Sequence, residues 1–393
     1  MEALWHFLKK GAMWILLFPL RLLPVKRERV MIHNDLTGKY AGNPKAVTED
    51  LLVTYPGQFD IVVSVRDPER YGTLRVRGMK VVRSNSPSYF FYSMTASVFV
   101  TDSGGFSYLP LRRRQYVINT WHGGGSYKKA GIHAYGDSAL IRRDLMLAAK
   151  KTDVFLSTCT RCSDTLSEAL LLPRKVFWEI GMPRNDMLLH EDPKLRQTIR
   201  RELGLREGEK LVLFAPTYRK IQDDSFKDSI AIPYGIDPAR VCAALEKRFG
   251  GTWRFAFRLH PRVTNREEIP KGEVLDLSDH EDMQDLLCAA DAMINDFSSS
   301  MWDFMLTGRP SFLFARDLEH YIQTTQVYTP VSEWPFPAST DNDGLENNIL
   351  NFDEHRYAED CKRHYGSLGG CETGHATQLV CERVYQKCFQ GGR

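Results

Sequence analysis

From Arg29 onward, short apolar runs alternate with amphipathic stretches. "RVMIHN" (29–34), "FDIVVSVRD" (59–67), "MKVVRSN" (79–85), "SVFVTDS" (97–103), "QYVINTW" (115–121) and "DVFLSTC" (153–159) are brief, rich in Val, Ile and Phe, and mostly run into polar residues or glycine. That pattern predicts buried strands. Helices are predicted between them at 43–55, 86–96, 138–152 and from Arg161 to Leu172.

A second series begins near Lys210. Strands are predicted in "KLVLFAPTYR" (210–219), "WRFAFRLHPR" (253–262), "EVLDLSD" (273–279), "DAMINDFSSS" (291–300) and "RPSFLFAR" (309–316). Helices are expected at 237–250, 281–290 and 301–308. Strand–helix–strand repetition implies parallel sheets covered by helices. The expected architecture is α/β: two doubly wound domains, 29–185 and 186–360, facing a cleft. A helical tail is expected at 361–393. Ligands of such sheets bind beyond the carboxyl ends of the strands.

The first 28 residues differ in kind. "MEALWHFLKKGAMWILLFPLRLLPVKRER" has an apolar run, Gly11 to Leu20, flanked by Lys9, Lys10, Arg21, Lys26, Arg27 and Arg29. A spanning helix needs about 20 apolar residues, so this run is too short. A signal peptide would carry a small-residue cleavage site, where this chain has Pro24 and basic residues. Trp5, Phe7, Trp14 and Phe18 suit an amphipathic helix lying on an anionic membrane surface. The competing arrangement is a helix packed on the protein's own core. Removal of residues 1–24 is expected to weaken vesicle binding and leave the fold intact.

Composition narrows the classes. The 393 residues are 43% hydrophobic and 26% charged, with a net charge of +3. That is ordinary globular composition with no global bias toward nucleic acid. The eight cysteines include a single C-x-x-C, Cys159 and Cys162, without the second pair a structural zinc site needs. Scattered thiols suit a reducing cytoplasm.

The candidate chemistry clusters after the apolar runs. His122 precedes Gly123, Gly124 and Gly125, with Lys128 and Lys129 close behind. Glycines let backbone N–H groups approach an anion. A lipase-type oxyanion loop shares these letters, but the chain has no G-x-S-x-G. Arg258, His260 and Arg262 alternate along a predicted strand end, which would set cations on one face for a pyrophosphate. Asp296 or one of Ser298, Ser299 and Ser300 is expected to cap a helix whose free N–H groups receive phosphate. Asp303 on that helix reads equally as a solvated or a functional position. Together these are phosphate-handling sites without a Walker loop, a G-x-G-x-x-G or a metal cluster.

The motifs "GKYAGNPKAV" (38–47), "TWHGGGSYKK" (120–129), "GMPRNDMLL" (181–189), "FAPTYR" (214–219), "RLHPR" (258–262) and "INDFSSSMWDFMLTGRPSFLFARDLEHY" (294–321) occur in the order seen in the CDP-glycerol glycerophosphotransferases. The chain resembles that family, which includes wall teichoic acid primases and polymerases, over roughly Val30 to Tyr321. The resemblance implies a GT-B fold of two Rossmann-like domains working at the cytoplasmic face of a bacterial membrane, as a peripheral protein. It implies transfer of glycerol phosphate from CDP-glycerol, or ribitol phosphate from CDP-ribitol, to a lipid-linked saccharide, with release of CMP. His122 would be the general base and His260 would contact the donor pyrophosphate. Ser298 and Ser299 would lie beside it, with Thr217 and Arg219 near the donor. No tightly bound cofactor is implied, and Mg²⁺ would travel with the nucleotide.

The chain departs from the family at two motifs. Many members have His-Gly-Thr-Pro-Leu-Lys where this chain has His122-Gly123-Gly124-Gly125-Ser126-Tyr127-Lys128, and Asp-Tyr-Ser-Ser where it has Asp296-Phe297-Ser298-Ser299. These leave a teichoic acid and a capsule-like polymer both open as the product. The long extra region of large polymerases is missing, which favours addition of one or a few units. Two rival classes stand beside the transferase: a GT-B glycosyltransferase using a nucleotide sugar, and a non-catalytic membrane-bound binding subunit.

Overall fold

The computed structural model describes residues 2–34, 37–103, 106–217, 235–259, 274–324 and 327–391. The chain forms two units. The first holds residues 1–186 together with 368–393, and the second is the continuous stretch 187–367.

The first unit is built on seven strands: β1 (Lys26–His33), β2 (Asp60–Val65), β3 (Lys80–Arg83), β4 (Ala96–Thr101), β5 (Tyr116–Asn119), β6 (Val154–Ser157) and β7 (Phe177–Glu179). They pair in the order β3-β2-β1-β4-β5-β6-β7, every pairing parallel. Alternation along each strand sends side chains to two cores. Val30, Ile32, Val98, Val100 and Ile118 join the helix Gly42–Thr54 through Val47 and Leu51 on one face. Met31, Phe99 and Val117 meet Tyr89, Phe106 and Leu109 on the other. A sheet buried on both faces explains why its strands read as continuous apolar runs.

The chain's two ends cover opposite faces of this sheet. The N-terminal helix Glu2–Leu17 and the short turn after it bring Met13, Leu17 and Leu20 to the second core. Arg143 lies over the Phe7 ring, and Lys10 pairs with Asp144 at 2.6 Å. Arg112 donates to the carbonyls of Arg21 and Leu23. The inward positions 7, 10, 13, 17 and 20 follow a helical period. The outward positions are apolar as well: Trp5, Leu8, Ile15, Leu16 and Leu22 are exposed, Leu22 by 90%. Packing on the body and an apolar outer surface therefore coexist, and removal of residues 1–24 would strip part of a core. No described helix is long and apolar enough to cross a membrane.

The C-terminal segment corrects the expected domain plan. Residues 361–393 do not form a separate tail. The helix Glu354–Ser367 stays with the second unit, whereas the helix Ala376–Tyr385 returns to the first. Val380, Cys381 and Val384 are buried against Val47 and Leu51, each valine contributing about 1.5–3 kcal/mol. The Asp186 carboxylate accepts from the N–H groups of Ala376 (3.2 Å) and Thr377 (2.7 Å), capping this helix from the far end of the unit. Apolar periodicity marks the helix, but the sequence holds no sign of which sheet it covers.

The second unit repeats the design with β8 (Lys210–Phe214), β9 (Trp253–Phe257), β10 (Val274–Asp276), β11 (Ala292–Asn295), β12 (Ser311–Phe314) and β13 (Ala338–Ser339). Their order is β10-β9-β8-β11-β12-β13, again all parallel. Both sheets thus run outward from a first strand in two directions, the Rossmann order, with switch points between β1 and β4 and between β8 and β11. The stretch Gly181 to Gly208, between the two series of strands, contains the helices Asp186–His190 and Pro193–Glu202.

Candidate functional site

In the first unit the chain leaves β5 at Asn119, earlier than the strand expected through Trp121. Thr120 anchors the exit: its N–H and hydroxyl both donate to the Thr101 carbonyl, at 2.7 and 3.0 Å. Trp121 then turns the backbone with φ of 54°, a conformation a bulky L-residue avoids. Its neighbours hold it there, the Thr120 hydroxyl donating to its carbonyl at 3.2 Å. Its N–H donates to the Asn119 side chain at 2.8 Å, its carbonyl accepts from Asn43 at 3.0 Å, and its ring packs on Phe155.

This turn presents His122. The imidazole lies against the Trp121 ring, with centroids 4.3 Å apart, and its Nδ1 is 3.0 Å from the carbonyl of Asp102. A carbonyl only accepts, so Nδ1 carries the proton and donates. Nε2 is then the nitrogen with the lone pair. Burial holds the imidazole below the ordinary histidine pKa; the Asp102 hydrogen bond opposes that and the Arg184 charge adds to it. A neutral imidazole with a free Nε2 is the form a general base needs.

The three glycines are not equivalent. Gly125 has φ of 65°, and a Cβ there would lie 1.9 Å from the ring of Tyr127, which is buried. Its N–H donates to the Thr158 hydroxyl at 2.9 Å, so it belongs to the scaffold and not to an anion cradle. A Cβ on Gly123 would meet only the Trp121 indole nitrogen, at an ordinary 3.6 Å. Ser126 is buried and paired with Thr165 at 2.8 Å, while Lys128 is exposed. Gly125→Ala is therefore expected to lower the melting temperature by several degrees, since the left-handed backbone alone costs about 1–2 kcal/mol. Gly123→Ala should melt as the parent does, and thermal denaturation of the two variants distinguishes them.

In the second unit the switch point between β8 and β11 is tied by one carboxylate. Asp296 Oδ1 accepts from the Thr217 N–H at 2.8 Å and from the N–H of Phe297. Asp296 is thus not the expected helix cap; it joins two strand ends. Asn295 Oδ1 takes the N–H groups of Asp296 (2.6 Å) and Ser298 (3.2 Å), and its Nδ2 donates to Ser300 at 3.0 Å. Ser299 stands at the cap position of the helix Ser300–Met305 without a capping hydrogen bond from its side chain. Ser298 and Ser299 are partly exposed, whereas Ser300 is buried and bonded to Ser298 at 3.1 Å. Beneath the loop, Phe297 stacks on Tyr321 with ring centroids 3.5 Å apart. Asp303 is no solvated position: it is 3% exposed and accepts from Gln284 at 3.4 Å.

The cation row is only partly in view. β9 ends at Phe257, so strand alternation does not reach Arg258. The Arg258 guanidinium donates to the carbonyls of Leu277 (3.2 Å) and Ser278, bracing the end of β10. Arg219, His260 and Arg262 lie outside the described residues.

Three residues the motif reading passed over complete the first unit's site. Asn43 sits in "GNPKAV" and is fully buried. Glu372 accepts from the N–H of Met182 (2.9 Å) and the side chain of Asn185 (2.8 Å). Asp186 caps the returning helix. All three organise "GMPRND", which showed in the sequence only as part of a resemblance.

Comparison with known proteins shows the family and the fold. The family profile described as CDP-glycerol:poly(glycerophosphate) glycerophosphotransferase matches residues 16–386. A teichoic acid poly(glycerol phosphate) polymerase of Staphylococcus epidermidis is 25% identical over 92% of this chain, which spans 51% of that protein. The teichoic acid ribitol-phosphate polymerases TarK and TarL of Staphylococcus aureus are 27% and 31% identical, and the chain spans 59% and 41% of them. The S. aureus teichoic acid glycerol-phosphate transferase is 24% identical, with 88% of this chain and 90% of that one covered. In fold, the wall teichoic acid polymerase TagF superposes with a TM-score of 0.80 at 22% identity, over 100% of this chain and 98% of that one.

Proposed function

Because the chain belongs to the CDP-glycerol:poly(glycerophosphate) glycerophosphotransferase family, we propose that it transfers glycerol phosphate from CDP-glycerol to a hydroxyl of a lipid-linked glycan at the cytoplasmic face of the membrane. The observation that carries this reading is His122: a partly buried, neutral imidazole whose Nδ1 is committed to the Asp102 carbonyl, leaving Nε2 to take a proton.

The acceptor hydroxyl oxygen attacks the β-phosphorus of CDP-glycerol while its proton passes to Nε2. A new P–O bond forms, and the bond from that phosphorus to the bridging oxygen breaks. CMP leaves with the bridging oxygen and its electron pair. We assign the donor to the switch point of the second unit, where Thr217, Asp296, Ser298 and Ser299 gather beyond β8 and β11. Ligands of such sheets occupy this position. Arg219 and His260 are proposed on the donor from the family resemblance, and Arg262 from its spacing beside His260 in "RLHPR". Ser300, bonded to Asn295 and Ser298, is proposed to shape that loop, and Arg258 to brace the end of β10, rather than bind the donor. Mg²⁺, where the reaction uses it, enters on the donor phosphates.

The outer surface of the N-terminal helix supports peripheral attachment. Exposed Trp5, Leu8, Ile15 and Leu22 supply the apolar side, with Lys9 and Arg21 nearby for anionic headgroups.

Product mass spectrometry tests the reaction. The protein is incubated with a defined lipid acceptor and CDP-glycerol, CDP-ribitol or UDP-sugars, with and without EDTA. The expected result is CMP release with an acceptor mass gain of glycerol phosphate. Gain of ribitol phosphate alone would reassign the donor, and release of UDP without CMP would overturn the reading.

A further inference from the structure

One buried side chain reaches both carbonyls that precede His122, and nothing in the chemistry above uses it. Asn43 is 1% exposed, at the start of the helix Gly42–Thr54. Its Nδ2 is 3.0 Å from the Trp121 carbonyl, 3.3 Å from the Thr120 carbonyl and 3.1 Å from Met182 Sδ. Its Oδ1 accepts from the Arg184 N–H at 3.0 Å. One carboxamide thus links "GNPKAV", "NTWHGGG" and "GMPRND".

We propose that Asn43 is a positioning residue for His122: its carboxamide holds Trp121 in the left-handed conformation from which the imidazole reaches the Asp102 carbonyl. The proposal rests on the reading of His122 as the general base. Left-handed backbone at a tryptophan is unfavourable and persists only where its surroundings over-determine it. The two carbonyls preceding His122 both accept from Nδ2; without that donor the Thr120 carbonyl loses this hydrogen bond, and the Trp121 carbonyl keeps the weaker one from the Thr120 hydroxyl at 3.2 Å. A relaxed φ at Trp121 rotates the chain directly before His122. The ring then leaves Asp102, and the Nδ1–H tautomer is no longer selected. Only an amide performs both tasks, because a carboxylate keeps the acceptor for Arg184 but sets oxygen against the two carbonyls.

The test compares Asn43→Asp, close in shape, with Val47→Ala. Val47 is a fully buried neighbour on the same helix that makes a core cavity without touching the turn. Two measurements are made on the intact protein: steady-state kinetics with CDP-glycerol, and ¹⁵N-histidine NMR, with the His122 signals assigned by their loss in His122→Ala. Asn43→Asp is expected to lower kcat 10- to 100-fold with little change in the donor KM, and to shift His122 from one tautomer to a mixture. Val47→Ala should keep both kcat and the tautomer while losing stability. If Asn43→Asp retains the Nδ1–H tautomer, or loses no more kcat than Val47→Ala, the proposal is wrong. Activity surviving in His122→Ala would instead overturn the role of His122 as base, and the tautomer measurement would still decide what Asn43 does.

Discussion

His122→Ala is expected to lose about 10²–10⁴-fold in kcat for glycerol phosphate transfer, the usual contribution of a positioned general base. The donor KM should change little, since donor contacts are assigned to the other unit. Truncation removes the proton acceptor and its hydrogen bond to the Asp102 carbonyl. The parent should show an acid limb in kcat/KM below the ordinary histidine value of 6.5, because burial disfavours the imidazolium and only the neutral ring accepts a proton. In His122→Ala that limb should vanish from the residual rate. Stability carries the same sign. A folded pKa below the unfolded one means the native chain binds fewer protons between the two values. This contribution is present above about pH 6.5 and is lost as pH falls through the folded pKa. A parent acid limb well above 6.5, or full activity in the variant, would remove His122 as base.

A chain carrying Leu8→Glu, Ile15→Glu and Leu22→Glu is expected to bind anionic phospholipid vesicles on the order of 100-fold more weakly. The three side chains are 53%, 70% and 90% exposed, so changing them leaves the inward Met13, Leu17 and Leu20 in place. Burying such side chains in lipid is worth about 1.5–3 kcal/mol each when complete, and placement at the interface realises only part of that. A total near 3 kcal/mol gives the stated factor, and added carboxylates oppose an anionic surface further. Transfer to a water-soluble acceptor analogue should survive. Sedimentation with vesicles reads the first effect, and unchanged co-sedimentation would refute attachment through this face. Deletion of residues 1–24 is the poorer experiment. It removes Leu17 from its core and the carbonyls of Arg21 and Leu23 from Arg112, so lost binding would be confounded with damage to the unit.

The sheets were legible because both faces are covered. Each central strand appears as an unbroken apolar run, and polar residues at the ends of those runs mark the positions beyond which sheets of this kind bind ligands. β7 escaped notice because "FWE" is three residues long and only its first is fully buried. Strand ends were read too far: β5 stops before Trp121 and β9 before Arg258, where polar contacts replace the ladder. At the candidate site, His122 stands out from type and context, but its tautomer depends on the carbonyl of Asp102, just past the end of β4. The glycine run told less than it promised, since Gly125 is required by Tyr127 and not by a ligand. Asn43, Asp186 and Glu372 were silent for one reason. Each acts on backbone groups remote in sequence, and no local spacing encodes that.

The return of residues 368–393 to the first unit has a consequence for biosynthesis. The second unit is one uninterrupted stretch, so all its residues have been made once Ser367 is added. The unit that begins the chain must wait longer, because Val380 and Val384 fill its core and Glu372 holds the loop around Met182. During translation, at about 5–20 residues per second, the second unit can fold while the first still exposes Val47 and Leu51. Of the two units, the one that carries His122 can therefore close only after the helix Ala376–Tyr385 has been made, and until then its core stays open to chaperones and proteases.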